Sequence, residues 1–150
     1  MRIQTSRENV ECAFELAAPC EICPRLCRVD RMAGETGYCG VGKTPLVASC
    51  SPHYGEESPL VGRGGSGTIF LSGCNLGCVF CQNYRISHGI RGEARSPSEL
   101  AEIMLNLQSR GCENINFVTP SHVVPWLMEA VRLARMDDLS LPIVYNCGGY

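Results

Sequence analysis

Cys74, Cys78 and Cys81 share one short run, CNLGCVFCQN. Thiolates are ligands for zinc and for iron–sulfur clusters, and three on one continuous loop can wrap a single small object. A closed zinc site takes four ligands, normally as two separated Cys-x2-Cys pairs, and this spacing is different. A [4Fe–4S] cube has four iron corners and usually takes four cysteines. Three leave one iron open to an external ligand, as an open position marks catalytic rather than structural zinc. The missing fourth thiolate therefore points to a reactive centre. Gly73 and Gly77 let the backbone bend close to such a cube and aim N–H groups at its sulfurs.

A second group, Cys20, Cys23, Cys27 and Cys39, has four thiols and a glycine-rich return through Gly34, Gly37 and Gly40. A four-sulfur zinc site satisfies that pattern, and a second [4Fe–4S] cluster competes for it. The cysteine count of eleven is odd, and the N-terminus, MRIQTSRENVECAFELAAPC, has charges where a signal peptide needs an apolar core. Metal or cluster ligation is thus expected over a disulfide framework. Cys12, Cys50, Cys112 and Cys147 stand alone and read as small buried hydrophobes. His53, Glu56 and Glu57 in HYGEES read as a solvated turn. GRGGSG, residues 62–67, precedes a strand instead of following one, so a phosphate loop fails on context.

A formal net charge of −2 offers no footprint for a polyanion, so nucleic acid is not an expected partner. No apolar run approaches the roughly 18 residues of a membrane span, and a cytoplasmic protein is expected.

The elements that must position these residues follow from pattern. Thr5-Ser6-Arg7-Glu8 reads as a capping box, and Val10, Ala13, Phe14 and Ala17 make one face of a helix ending before Pro19. From Pro19 to Gly67 the only apolar run is Leu46–Ala48, too little to hold a module by burial, and a bound metal would supply the cross-link. TIFLS, from Thr68, reads as a buried strand. Ser96-Pro97-Ser98-Glu99 starts a helix with Leu100, Ile103, Met104 and Leu107 inside and Gly111 as its stop. NINFVTP is a second strand, and a helix from near His122 follows, with Val124, Leu127, Met128, Val131 and Ala134 inside. IVYN is a third strand. This β-α-β-α-β series predicts an α/β fold with a parallel sheet, residues 68–150, after a helix and cysteine-rich module, residues 1–67. Function gathers at the carboxyl ends of parallel strands, where the cysteine loop and the residues from Asn146 onward both fall.

Cys-x3-Cys-x2-Cys with Phe80 before its last cysteine, directly after the first strand of a βα series, resembles the signature of the radical S-adenosylmethionine (SAM) superfamily. The longer GSGTIFLSGCNLGCVFCQN resembles proteins related to pyruvate formate-lyase activating enzyme, and the likeness extends from CEICPRLCRVDR through NINFVTPSH to VYNCGGY. The resemblance implies the N-terminal half of a partial (β/α) barrel, with a [4Fe–4S] cluster on Cys74, Cys78 and Cys81 and SAM chelated at the open iron. It implies reductive cleavage of SAM to a 5′-deoxyadenosyl radical that abstracts hydrogen. A flavodoxin or ferredoxin would be the reductant, and a glycyl-radical enzyme the partner. It places Phe80 near the adenine, and Thr119 and Asn146 at SAM. Where relatives have Gly-Gly-Glu, this chain has Val118-Thr119-Pro120-Ser121-His122, so any contact there would come from backbone. His122 itself reads as a helix-start residue. The rival class is a non-enzymatic iron–sulfur or zinc protein in electron transfer or assembly, and SAM cleavage separates the two. A full (β/α)₈ barrel takes about 250 residues. These 150 are therefore expected to form an incomplete catalyst, with Ile143–Asn146 as an open edge.

Overall fold

Ser6 starts the first helix, α1 (Arg7–Glu15), by accepting a hydrogen bond from the Asn9 N–H at 3.1 Å. The cap is one residue later than expected, and Thr5 lies outside the described residues. The computed structural model describes residues 6–149. A cysteine-rich loop follows α1 and is closed on itself by two backbone hydrogen bonds between Cys20 and the segment Arg28–Val29, at 3.0 and 2.9 Å.

The remaining elements are β1 (Leu46–His53), α2 (Ser58–Val61), β2 (Ser66–Leu71), α3 (Tyr84–Ser87), β3 (Glu93–Ala94) and α4 (Pro97–Ser109). Then come β4 (Asn114–Val118), a 3₁₀ turn at Ser121–Val123, α5 (Val124–Met136) and β5 (Ile143–Asn146). They form one sheet in the order β3-β1-β2-β4-β5. β2, β4 and β5 are parallel, as the α/β pattern requires, and β1 is antiparallel to both of its neighbours. β1, with the short β3 beside it, is what pattern missed among the strands. Three consecutive residues, Ser49, Cys50 and Ser51, are exposed and Pro52 interrupts its donors, so neither alternation nor a continuous apolar run marks it. It pairs along β2 from Val47 to His53, so a single sheet runs through both sides of residue 67.

Successive strand residues face opposite ways. On one face Ile69, Leu71, Ile115 and Phe117 join Leu100, Met104, Leu107, Leu127, Ala130 and Ala134 in the core. On the other, Ser66 pairs in register with Asn114 and Thr68 with Asn116, all four buried. The α4 capping box forms as expected, and its end is a Schellman turn at Gly111 (φ 83°), with Cys112 N–H reaching Leu107 O at 3.2 Å. The buried face of α5 is rotated from expectation toward Trp126 and Ala130. Trp126 is drawn in by the Phe14 ring of α1, 5.3 Å away edge to face, and by a guanidinium over its own face. At the far margin β5 pairs with β4, and its Tyr145 and Asn146 are exposed. No helix among the described residues is long and apolar enough to cross a membrane.

That guanidinium belongs to Arg31, 1% exposed. Its Nε and Nη2 donate to Gly42 O at 3.1 and 2.8 Å, Nη1 donates to His122 O, and its carbon lies 4.6 Å above the Trp126 ring. His122 is equally buried and donates from Nε2 to Ser72 O at 2.8 Å. Burial drives the His122 pKa from 6.5 down to about 4, against the pull of the Ser72 carbonyl, and the Arg31 charge adds to the fall. Below pH 6.5 the unfolded chain therefore takes up a proton that the folded chain refuses until about pH 4. Stability from this residue is full above pH 6.5 and is lost as the pH falls toward 4, a span worth on the order of 3 kcal/mol. His122→Gln, which keeps a neutral donor, is expected to flatten that stretch of the curve in urea melts at pH 7, 5.5 and 4. An unchanged slope in the variant would show that His122 does not govern it.

Candidate metal centre

The cysteine loop leaves the sheet from a fixed post. Ser72, fully buried, donates its N–H to Leu46 O at 2.8 Å and its hydroxyl to Ile86 O at 2.9 Å. The same hydroxyl accepts from Arg91 N–H at 2.8 Å, so both ends of the loop are tied to one residue. Gly73 follows at φ 81°, where a side chain would drive into the Cys39 carbonyl and the Val41 side chain. Cys74, Cys78 and Cys81 are all free and half-buried. Cys81 N–H bonds Cys78 O at 3.2 Å, which puts the last two thiols on one tight turn. Leu76 N–H donates to Cys74 Sγ at 3.3 Å and the Ser87 hydroxyl to Cys81 Sγ at 3.5 Å. Two of the three sulfurs therefore already accept a hydrogen bond from the protein.

Among the described residues no three His, Cys, Asp or Glu side chains converge as the ligands of a single ion do. Three half-buried thiols, backbone and hydroxyl donors to sulfur, and a loop that bends at two glycines fit a three-ligand cluster. Phe80 and Val79 project from the loop tip, 87% and 88% exposed, so Phe80 is no core aromatic.

The parallel register sets Val118 beside Phe70 and Asn146 beside Val118, bringing Thr119 and Asn146 to the same edge as the cysteine loop. Thr119 donates its N–H to Asn146 O at 2.9 Å and holds a left-handed backbone, φ 62°, that is strained for a β-branched residue. Beneath them Asn116, 0% exposed, has no hydrogen-bond partner for either side-chain polar atom among the described residues.

Cys20, Cys23, Cys27 and Cys39 line one cavity of about 10 Å³, together with Arg25, Arg31, Tyr38 and His122. Tyr38 N–H donates to Cys27 Sγ at 3.3 Å. Leu26 (φ 45°) and Arg28 (φ 57°) hold left-handed backbone on either side of Cys27. Such conformations cost about 1–3 kcal/mol each and persist only where the surroundings enforce them. Burial pushes the Cys23 and Cys39 thiols up, and neighbouring thiols act the same way. All four thiols thus belong to the wall of one common cavity.

Three of the lone cysteines depart from expectation: Cys12, Cys50 and Cys147 are exposed, and only Cys112 is buried. They fall on the outer side of α1, the bare stretch of β1 and the segment after the edge strand. Glu56 is half-buried against His53 at 3.4 Å rather than solvated. In GRGGSG the N–H groups of Arg63 and Gly64 hold the Glu113 carboxylate at 3.0 and 3.2 Å, which keeps its pKa below the usual value. That backbone is taken by the chain's own anion. Arg25, Tyr38, Arg31 and the interior role of His122 escaped the sequence reading. Their one signal was cations spaced among cysteines in a segment poor in apolar residues.

Residues 68–149 match the Radical SAM superfamily. The chain is 32% identical over 149 residues to an uncharacterized protein of Methanocaldococcus jannaschii, covering 95% of this chain and 42% of that protein. A second uncharacterized protein of that organism is 23% identical over 150 residues, again across 42% of its length. A probable RNA methyltransferase of Pseudomonas paraeruginosa is 28% identical over 99 residues, 64% of this chain and 28% of the relative. The chain thus spans well under half the length of these curated relatives. No solved structure matches it. With the matched segment running from β2 through the cysteine loop to β5, the chain belongs to the Radical SAM superfamily.

Proposed function

We propose that Cys74, Cys78 and Cys81 hold a [4Fe–4S] cluster and that SAM binds at the iron they leave open. The observation that carries this reading is three half-buried thiols on one loop, at the carboxyl end of the first parallel strand, with protein donors already on two of the sulfurs. When bound, the cluster and SAM would supply reductive cleavage of the sulfonium and a 5′-deoxyadenosyl radical for hydrogen abstraction. The chain's own part is to bind, orient and exclude water. Gly73 and Gly77 shape the loop, while Leu76 N–H and the Ser87 hydroxyl stabilise thiolate charge. Thr119 and Asn146, on the same strand edge, are the groups within the chain that would meet the polar end of SAM. Exposed Phe80 is available to stack on the adenine.

The finer reading is an activating enzyme that draws electrons from a flavodoxin or ferredoxin and takes hydrogen from a glycine of a glycyl-radical enzyme. Its support is the run GSGTIFLSGCNLGCVFCQN. All eleven cysteines are free, which goes with a reducing, cytoplasmic setting. In residues 1–67, ahead of the barrel segment 68–150, Cys20, Cys23, Cys27 and Cys39 would form a structural metal site. A cavity of about 10 Å³ holds one water-sized body, which favours a single zinc ion over a second cluster.

Anaerobic reconstitution is expected to load one cluster, and dithionite with SAM to yield 5′-deoxyadenosine and methionine, more slowly than in a chain of the relatives' full length. S-adenosylhomocysteine as the product would instead mark methyl transfer. Cys74→Ala, Cys78→Ala or Cys81→Ala should each abolish the reduced cluster's EPR signal, and full iron and sulfide in any single variant would overturn the ligand set. In the triple variant, metal analysis is expected to find one zinc and no iron. Iron retained there would assign the second site to a cluster.

A further inference from the structure

We propose that Arg25, in the four-cysteine module, is the positioning residue that aims the backbone N–H groups of the Cys74–Cys81 loop at thiolate sulfur. The inference rests on the reading of those three cysteines as cluster ligands. Arg25 lies between Cys23 and Cys27, yet its guanidinium reaches fifty residues along the chain. Nε donates to Asn75 O at 2.8 Å and Nη2 to Leu76 O at 3.1 Å. A trans peptide points its C=O and N–H in opposite directions. Fixing the Asn75 carbonyl toward Arg25 therefore turns the Leu76 N–H the other way, and that N–H is the donor on Cys74 Sγ at 3.3 Å. Fixing the Leu76 carbonyl turns the Gly77 N–H away from Arg25 in the same manner.

The guanidinium is itself held from below. It lies 3.7 Å over the ring of Tyr38, the residue just before Cys39. The Tyr38 hydroxyl comes so near Gly77 (φ 73°) that a side chain there would clash with it. Tyr38 also donates its N–H to Cys27 Sγ at 3.3 Å, so the platform is fastened to the thiols that flank Arg25. Lysine cannot do this work, because only a planar fork serves two carbonyls at once while lying flat on a ring.

Hydrogen bonds to cluster sulfurs and ligand thiolates stabilise the more negative, reduced state and raise the reduction potential. Losing the aimed N–H groups should lower it. The experiment compares wild type, Arg25→Met and Arg25→Lys by iron content, circular dichroism and EPR-monitored redox titration. Hydrogen exchange at residues 74–78 in the metal-free chains is the readout that needs no cluster. Both variants are expected to lose about tenfold in the reduced-to-oxidised ratio at fixed poise, roughly 59 mV for a one-electron couple. Amide exchange across the loop should quicken about tenfold as well. If Arg25→Met does not fold, Arg25→Lys, which keeps charge and stem, decides. A wild-type potential and wild-type exchange in the folded variants would overturn the role of Arg25. Wild type that takes up no iron would overturn the cluster reading instead, and the exchange data would still report whether Arg25 orders the loop.

Discussion

A full positive charge buried in a small chain governs the rest of this architecture. Arg31 has almost no contact with water, so its desolvation must be offset by hydrogen bonds and by the face of an aromatic ring. Its partners come from three places: Gly42 at the far end of its own module, the His122 carbonyl at the entry to α5, and the Trp126 ring. None can shift without stranding the charge. The position of the cysteine-rich module on the α/β sheet is fixed by that requirement, in a segment with too little apolar surface to fix it by burial.

Arg31 and Arg25 divide the work. Arg31 anchors the module to α5 and, through His122, to the residue where β2 becomes the cysteine loop. Arg25 then reaches outward to the loop itself. The two thiol groups are consequently parts of one assembly, with Gly73 packed so closely on Cys39 that only a hydrogen fits between them. Strained backbone at Leu26, Arg28 and Thr119 collects around the same assembly, where packing and hydrogen bonds are dense enough to hold it.

The parallel core was legible because its elements obey local rules. Ser96 and Glu99 cap each other, Gly111 ends the helix in a left-handed turn, and NINFV is buried throughout. The site's edge was legible for the same reason, since parallel strands put their carboxyl ends together. What escaped depends on distant partners. β1 has no clear pattern because its pairing with β2 supplies what its side chains do not. The turn of α5 toward Trp126 follows from an arginine 95 residues earlier. Spacing located the thiols of Cys20, Cys23, Cys27 and Cys39 in one cavity but gave no sign that the cations between them would act at another loop.

β1 runs against β2 and β3 runs against β1, so β3 at that margin points the same way as β2, β4 and β5. The short β3 covers only Leu46 and Val47, and Pro52 removes a donor from the bare stretch beyond. Among the three parallel strands β2, β4 and β5, order in space follows order in sequence. A nascent chain leaving the ribosome therefore brings out the arginines, the thiol cavity and the loop they support before β4 and β5.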